Sequence, residues 1–180
     1  MRTEASRQSQ KRRSKRAVST DAIAMLKQDH EKVLDMFKKF GRMAEKAEDE
    51  GKSELVRTIC QELKVHTALE EEIFYPAVRA AIDEELLMDE ALVEHDSAKS
   101  LISQIEEMQE GDERYDATVT VLGEYIQHHV NEEQKEIFPK AKKAKMDLSA
   151  LGEEMAERKK ALLSEEGGPA ESQAADAERQ

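Results

Sequence analysis

Apolar side chains recur every three or four residues along most of the chain, which is the spacing of one face of an α-helix. Helix-capping residues at Ser19-Thr20-Asp21 and turn signals near Gly51 and at Gly111-Asp112 divide this pattern into segments. A weaker apolar stripe follows the fourth segment and ends before Gly167-Gly168-Pro169. The pattern predicts five helices, at about 21–50, 54–76, 84–110, 115–139 and 148–164.

Polar residues interrupt the apolar faces of the first four predicted helices at positions where a core residue is due. One histidine lies on each of these faces, and two glutamates each follow a histidine by four residues. The six residues are His30, His66, Glu70, His95, His129 and Glu133. Because residues four apart share a helix face, each His-x-x-x-Glu pair presents an imidazole beside a carboxylate. Iron, manganese and zinc all accept this ligand pair, so two such pairs indicate a two-metal site.

The six residues also form an internal repeat. In each half of the chain, a helix with one histidine precedes a helix with His-x-x-x-Glu, and a proline stands ten residues after the second histidine, at Pro76 and Pro139. We expect Pro76 to kink or end the second helix and Pro139 to end the fourth. Two helix hairpins packed as a four-helix bundle would bring all six side chains to one interior level.

A buried polar network without metal is the alternative interpretation. A histidine on an apolar face is more often a hydrogen-bonded core residue than a ligand. Glu70 and Glu133 change this balance, because a buried carboxylate is unfavourable unless it is paired or bound to a cation. A metal-free network would require a partner for every buried group, so we favour the metal site.

Several residues next to the six could support or pack against the candidate ligands. His128 points about 100° away from its neighbour His129, so we expect it to be exposed or to support a ligand from outside. Glu71 and Glu132 adjoin the candidate ligands and could hydrogen-bond to them. Two aromatic residues, Tyr75 and Phe138, occupy matching positions in the repeats, where we expect packing under the site.

Composition agrees with an all-α protein. The chain has 180 residues, enough for one domain, with 4% aromatic residues and few glycines and prolines. No apolar run approaches the roughly 20 residues that span a bilayer, and no hydrophobic signal sequence opens the chain. A cytoplasmic location is therefore the expectation. Cys60 is the single cysteine, which excludes an intrachain disulfide, and we expect it to pack within a helix interface.

Charge is distributed unevenly. Residues 1–20 contain seven basic residues and one acid, whereas the rest of the chain contains 21 basic and 39 acidic residues. Such an acidic body disfavours nucleic-acid binding. The basic tail could contact nucleic acid or an acidic partner, although a disordered solubilising tail is the simpler interpretation. We divide the chain into a disordered basic tail (1–19), a helical bundle (20–140), a C-terminal helix (141–165) and a disordered acidic tail (166–180).

The order of the six residues, with a proline closing each pair, resembles the hemerythrin-like (HHE cation-binding) domain family over about residues 21–140. The resemblance implies an up-down-up-down four-helix bundle around a non-haem di-iron centre. The four histidines would each give one nitrogen, Glu70 and Glu133 would bridge the irons, and an oxo or hydroxo group would add a further bridge. Both irons would keep room for O2, NO or peroxide. Manganese and zinc remain alternative metals.

Two positions depart from the oxygen-carrying hemerythrins. Lys99 stands where the carriers have an additional histidine, and Gln134 stands where their last acid lies, the acid here being Glu133. Reversible oxygen carriage is therefore disfavoured relative to O2 or NO sensing, peroxide decomposition and iron handling. The alternatives are an iron storage, delivery or iron–sulfur repair module, and an interaction protein that uses its basic tail. The sequence shows no dedicated general acid or base, so it does not decide whether the protein is an enzyme.

Overall fold

The computed structural model describes residues 21–46 and 50–166, and every regular element in this part of the chain is helical. The α-helices are α1 (Ala22–Glu45), α2 (Lys52–Leu69), α3 (Tyr75–Ala81), α4 (Glu85–Glu107), α5 (Tyr115–Glu132), α6 (Phe138–Lys143) and α7 (Leu148–Glu166). A π-helical turn joins α2 to α3 at Glu70–Phe74, and another joins α5 to α6 at Glu133–Ile137. The predicted all-α fold is confirmed.

Four long helices form the bundle. Helix α1 packs against α2 and α5, and α4 packs against α5 and α2, which closes a ring of four. The first helix begins where the sequence predicted, because the Asp21 carboxylate accepts a hydrogen bond from the Ala24 N–H at 3.0 Å. Gly51 (φ 78°) and Gly111 (φ 96°) provide the left-handed conformations at the turns between helices.

Two apolar clusters fill the bundle on opposite sides of a polar layer. Along α1 and α4, residues of one cluster precede the layer histidine and residues of the other follow it, whereas along α2 and α5 this order is largely reversed and continues into the segments that follow those helices. The first cluster includes Val33, Phe40, Leu63, Ala98, Ile102, Leu122, Ile126 and Val130. The second cluster includes Leu26, Leu69, Phe74, Tyr75, Met88, Ala91, Ile137, Phe138 and Met155. The predicted core face of each helix is therefore buried, and its histidine lies between the two clusters.

Neither proline ends its helix, so the prediction for Pro139 is wrong, and of the two predictions for Pro76 only a kink remains. The chain stays helical through Pro76 to Ala81 and through Pro139 to Lys143. A proline lacks an N–H and its ring clashes with the carbonyl four residues earlier in an α-helix. A π-helical turn precedes each proline, with an N–H bonded to a carbonyl five residues back, and this wider turn accommodates the ring.

The C-terminal helix α7 covers one side of the bundle. It packs against α1, α2 and the first π-turn, and its Met155 is fully buried. Ion pairs join Arg158 to Glu72 and Lys159 to Asp29. The predicted tails, 1–19 and essentially all of 166–180, lie outside the described residues.

Two further sequence predictions concern Cys60 and membrane-spanning segments. Cys60 is buried in the first cluster, as expected of a packing residue, and burial raises the pKa of its thiol to about 11. Across residues 21–46 and 50–166, none of the helices is both long and apolar enough to cross a membrane.

Helix α5 approaches α1 closely at Gly123, where an added Cβ would lie 2.9 Å from a ring carbon of Phe37. We expect Gly123→Ala to lower the free energy of unfolding by about 1 kcal/mol, because overpacking outweighs the gain in helix propensity. Gly41→Ala in α1 is the matched control, since its Cβ would meet no atom within 4 Å. The control should stabilise the protein in the same chemical denaturation experiment, and equal stabilisation by both changes would contradict the close approach.

Candidate metal centre

Each bundle helix contributes one histidine to the polar layer, and each π-turn begins with one of the two glutamates. His30 comes from α1, His66 from α2, His95 from α4 and His129 from α5. All six predicted site residues are no more than 5% exposed. The fold thus brings together every residue that the sequence singled out as a metal ligand.

One group of donor atoms surrounds a point between α1 and α2. His30 Nε2 lies 2.9 Å from His66 Nε2 and 3.1 Å from Glu133 Oε2. His66 Nε2 lies 3.3 Å from Glu70 Oε2. Adjacent ligands of an octahedral metal with bonds of about 2.1 Å are about 3.0 Å apart, so these spacings fit a shared cation.

A second group lies between α4 and α5. His95 Nε2 is 3.0 Å from His129 Nε2 and 3.3 Å from Glu70 Oε2. Glu133 Oε2 approaches His129 Nε2 at 3.7 Å. Glu70 and Glu133 therefore contact histidines of both groups, which is the position of carboxylates that bridge two metals.

The metal-free network is disfavoured by atoms without partners. Neither oxygen of Glu70 accepts a hydrogen bond, and Glu133 Oε2 accepts none either, among the residues that the structure describes. Burial, and after it the charge of Glu133, raises the pKa of Glu70 well above its usual range. Bound cations would satisfy these oxygens and remove the repulsion between the two carboxylates. The residues present therefore fit a pair of metal ions.

Two of the four histidines, His66 and His95, are in the state that metal binding requires, whereas burial of His129 is outweighed by its hydrogen bond with Glu94, which raises the pKa of that ring. Burial lowers the pKa of His66, and burial together with the charge of His129 lowers the pKa of His95 to about 4. Both rings are consequently neutral at physiological pH. A neutral ring offers a nitrogen lone pair to a metal without first losing a proton.

Carboxylates outside the layer hydrogen-bond to two of the four histidine rings through Nδ1, and a third carboxylate lies near His66. Glu71 lies 2.8 Å from His95 Nδ1, and Glu94 lies 2.7 Å from His129 Nδ1. Asp29 approaches His66 Nδ1 at 3.9 Å. Such partners fix the orientation of a ligating ring and increase its basicity.

The sequence identified only one of these partners. Glu71 behaves as expected, whereas Glu132 contacts the exposed His128 at 3.4 Å and Glu94 takes the place beside His129. Glu94 and Asp29 were both missed. Their common signal is that each directly precedes a layer histidine, in Asp29-His30 and Glu94-His95, yet contacts the histidine of the next bundle helix.

Lysines neutralise two of these outer carboxylates. Lys99 Nζ lies 2.7 Å from both oxygens of Glu71, and Lys159 Nζ lies 2.6 and 2.7 Å from the oxygens of Asp29. Burial raises the pKa of Asp29, but hydrogen bonds with His66 and Lys159 outweigh it and the net shift is downward. Lys99, the departure from the oxygen carriers, therefore acts through Glu71 on His95.

His128 lies at the surface, as predicted, with 67% of its side chain exposed. Its Nε2 is 3.5 Å from Glu94 and 3.4 Å from Glu132. Donor atoms of these three residues lie within 4.8 Å of one another, close enough to hold a cation. Glu94 contacts both this surface group and the buried His129.

A small cavity of about 20 Å³ adjoins the histidine layer on the side of the first cluster. This volume admits about one water-sized molecule. All four layer histidines line it. The remaining wall includes Val33, Leu63, Ala98, Ile126 and Val130, with Asp29, Glu94 and Tyr125 also present.

A four-helix bundle with a buried layer of histidines and glutamates defines a class of helical cation-binding proteins. The Hemerythrin HHE cation binding domain matches residues 21–141, and the chain belongs to this family. The fold is similar to the crystal structure of a Hemerythrin HHE cation binding domain-containing protein from Mycobacterium kansasii, described as an Rv2633c homolog. The TM-score is 0.69, with 24% identity over 81% of this chain and 88% of the other, which shows a shared fold. No curated protein matches this chain.

Two adjacent histidines provide a test of the ligand assignment. We expect His129→Ala to lower metal affinity more than about tenfold, because it removes a donor from the buried layer. His128→Ala should leave the metal content of the buried layer unchanged, since that ring is exposed. Metal per chain after dialysis against a weak chelator measures both effects. Equal loss in the two variants would overturn the assignment.

The buried Glu70 carboxylate should affect stability in opposite directions with and without metal. Its folded-state pKa is raised, so the metal-free fold loses stability as pH rises above about 4.5, by up to about 1.4 kcal/mol per pH unit. We expect Glu70→Gln to remove this loss in the metal-free protein and to weaken metal binding. Urea unfolding of metal-free proteins at several pH values, with Glu132→Gln as control, measures the difference. A metal-free Glu70→Gln protein with the wild-type pH slope would contradict the buried-acid interpretation.

Proposed function

We propose that this chain is a non-haem di-iron protein that binds O2, NO or peroxide at a carboxylate-bridged pair of irons between the four bundle helices. The supporting observation is that two donor groups share Glu70 and adjoin a small, largely apolar cavity. Glu133 Oε2 belongs to the first group and also lies 3.7 Å from His129 Nε2 of the second. Family membership supports cation binding, and the donor geometry and the cavity support the more specific assignment.

Donor spacing agrees with an octahedral metal such as iron or manganese at the closest pairs, which lie 2.9 and 3.0 Å apart between histidine nitrogens. Ligands with bonds of about 2.1 Å are about 3.0 Å apart in an octahedral site and about 3.4 Å apart in a tetrahedral zinc site. The contacts of Glu70 Oε2 with His66 and His95, at 3.3 Å, lie nearer the tetrahedral value, so spacing alone does not decide between these metals. Iron is proposed because it is the one of the three that commonly binds O2 and NO.

The protein's own residues would position and isolate the irons, which when bound would supply redox and Lewis-acid chemistry. Glu71 and Glu94 hold the rings of His95 and His129 through hydrogen bonds. The apolar part of the cavity wall excludes bulk water and leaves room for about one diatomic molecule. Asp29 and Glu94, the acids on that wall, are already paired with a histidine. This arrangement favours ligand binding over a reaction that needs a free general acid or base.

Iron storage or delivery is the second candidate, including supply to damaged iron–sulfur proteins. The surface group of Glu94, His128 and Glu132 favours it, because Glu94 also contacts His129 in the buried layer. An exposed cation site beside a buried one would provide a route for metal exchange. Rapid loss of iron to an external chelator would support this candidate.

Metal analysis and an optical spectrum of protein from an iron-supplied host test the main proposal. Near two irons per chain, with near-ultraviolet charge-transfer bands of an oxo- or hydroxo-bridged pair, is the expected result. Titration with peroxide, NO and O2 then distinguishes turnover from reversible binding. Absence of metal, or zinc that iron cannot replace, would contradict the proposal.

The cavity should control access of small ligands to the centre. We expect Ala98→Val to slow NO or azide binding at least about tenfold, because the added methyl groups fill a space for one small molecule. Ala91→Val is the control, since Ala91 is as buried on the same helix but lies in the second cluster, away from the cavity. Stopped-flow rates at equal iron content provide the measurement. Equal slowing in both variants would show that ligands enter elsewhere.

A further inference from the structure

The two halves of the metal layer differ at one matching position. Tyr75 follows Glu70 by five residues, and Phe138 follows Glu133 by five residues, each just before its proline. The Tyr75 ring stacks on His95 at 5.3 Å between centroids, and the Phe138 ring stacks on His30 at 5.8 Å. The repeat thus places an aromatic ring against one histidine of each donor group, but only the group of His95 and His129 receives a hydroxyl.

The Tyr75 hydroxyl lies among the donor atoms of that second group. Its oxygen is 3.0 Å from Glu133 Oε1, 3.3 Å from His95 Nε2 and 3.4 Å from His129 Nε2. A phenol has one proton, so it can donate only one hydrogen bond at a time. Nδ1 of each ring faces a carboxylate, Glu71 or Glu94, so each ring in its neutral form presents the Nε2 lone pair, not an N–H, to the hydroxyl. The hydroxyl therefore faces three acceptors with one proton, at the spacing of adjacent metal ligands.

The hydroxyl is buried away from solvent, and within the described residues its one donated hydrogen bond goes to Glu133 Oε1. Tyr75 is 2% exposed and lies in the second apolar cluster. A phenylalanine fills the equivalent place in the other repeat, so packing does not require the oxygen. The two positions differ in what they add to the neighbouring donor group. Tyr75 adds an oxygen beside His95 and His129, whereas Phe138 adds no donor atom beside His30.

We propose that Tyr75 is a protein ligand of the metal held by His95 and His129, an inference that rests on the di-iron function proposed above. The phenol oxygen then joins the two histidines and the two shared glutamates as a fifth protein donor. The metal held by His30 and His66 has four protein donors. Phe138 leaves that metal the more open one, so the small ligand binds there.

Ligation by Tyr75 is an acid–base change without oxidation or reduction. The phenol O–H bond breaks, the proton passes to solvent, and the oxygen shares the electron pair it retains with the metal. Ferric iron bound to a phenolate absorbs visible light, whereas a phenol hydrogen-bonded nearby does not produce that absorption. Spectroscopy therefore separates a ligand from a residue that only positions its neighbours.

The test uses the full-length protein loaded with ferric iron. The chain has three tyrosines, so the double variant Tyr115→Phe/Tyr125→Phe leaves Tyr75 as the only one. Because Tyr125 lines the cavity, this variant is compared by iron content and phenolate signal and not by ligand binding. We expect wild type and this double variant to show a phenolate-to-iron band and phenolate ring vibrations in resonance Raman spectra. Tyr75→Phe should lose both signals while it retains two irons per chain.

Each outcome is decisive. Two irons with near-ultraviolet bands but no phenolate signal in wild type would overturn the tyrosine ligand and leave the di-iron proposal intact. A phenolate signal that persists in Tyr75→Phe, or that disappears in the double variant, would assign it to another tyrosine and also overturn the inference. Absence of bound iron would overturn both proposals together. The double variant decides the question even where Tyr75→Phe fails to fold.

Discussion

The burial of two carboxylates at the centre of an apolar bundle is the constraint on which the rest of the structure depends. Glu70 and Glu133 are fully buried, and three of their four oxygens accept no hydrogen bond from the described residues. An isolated ionised carboxylate is strongly unfavourable in such surroundings. Cations between the glutamates and the four histidines would compensate for it. The bundle therefore contains a layer that metal would complete, with an apolar cluster on each side.

Sequence periodicity was sufficient to predict the fold and the contents of this layer. Residues four apart on a helix share a face whatever the tertiary structure, so His66 with Glu70 and His129 with Glu133 could be paired from spacing alone. The outer carboxylates were harder to predict. Asp29 and Glu94 act across helices, on His66 and His129, and such contacts depend on how neighbouring helices are rotated against each other. Their adjacency to a histidine in sequence gave no indication of that partner.

Charged groups outside the layer are also balanced by pairing with opposite charges. Each acid that holds a histidine ring adds negative charge near the centre, and two of these acids are neutralised by lysines from other helices. Lys99 pairs with Glu71 from within the bundle, while Lys159 reaches Asp29 from α7. The C-terminal helix is therefore connected electrostatically to His66, in addition to covering apolar surface. A ligand histidine in each half of the layer is thus coupled to a cation at or near the surface.

The π-turns explain how the helices continue through the two prolines and why Tyr75 lies against the layer. In a regular α-helix, a residue five positions after Glu70 points about 140° away from it, which would direct Tyr75 out of the layer. The π-turn inserts additional backbone between these residues, with the Tyr75 N–H bonded to the Glu70 carbonyl. This wider turn reduces the angular separation and brings the tyrosine ring back toward the side of the glutamate. The same turn gives Pro76 room to remain within a continuous helix. The same turn recurs at Glu133–Ile137, so in both halves it accommodates a proline and directs an aromatic side chain at the layer of histidines and glutamates. That side chain is a tyrosine in one half and a phenylalanine in the other, which makes the two halves chemically different.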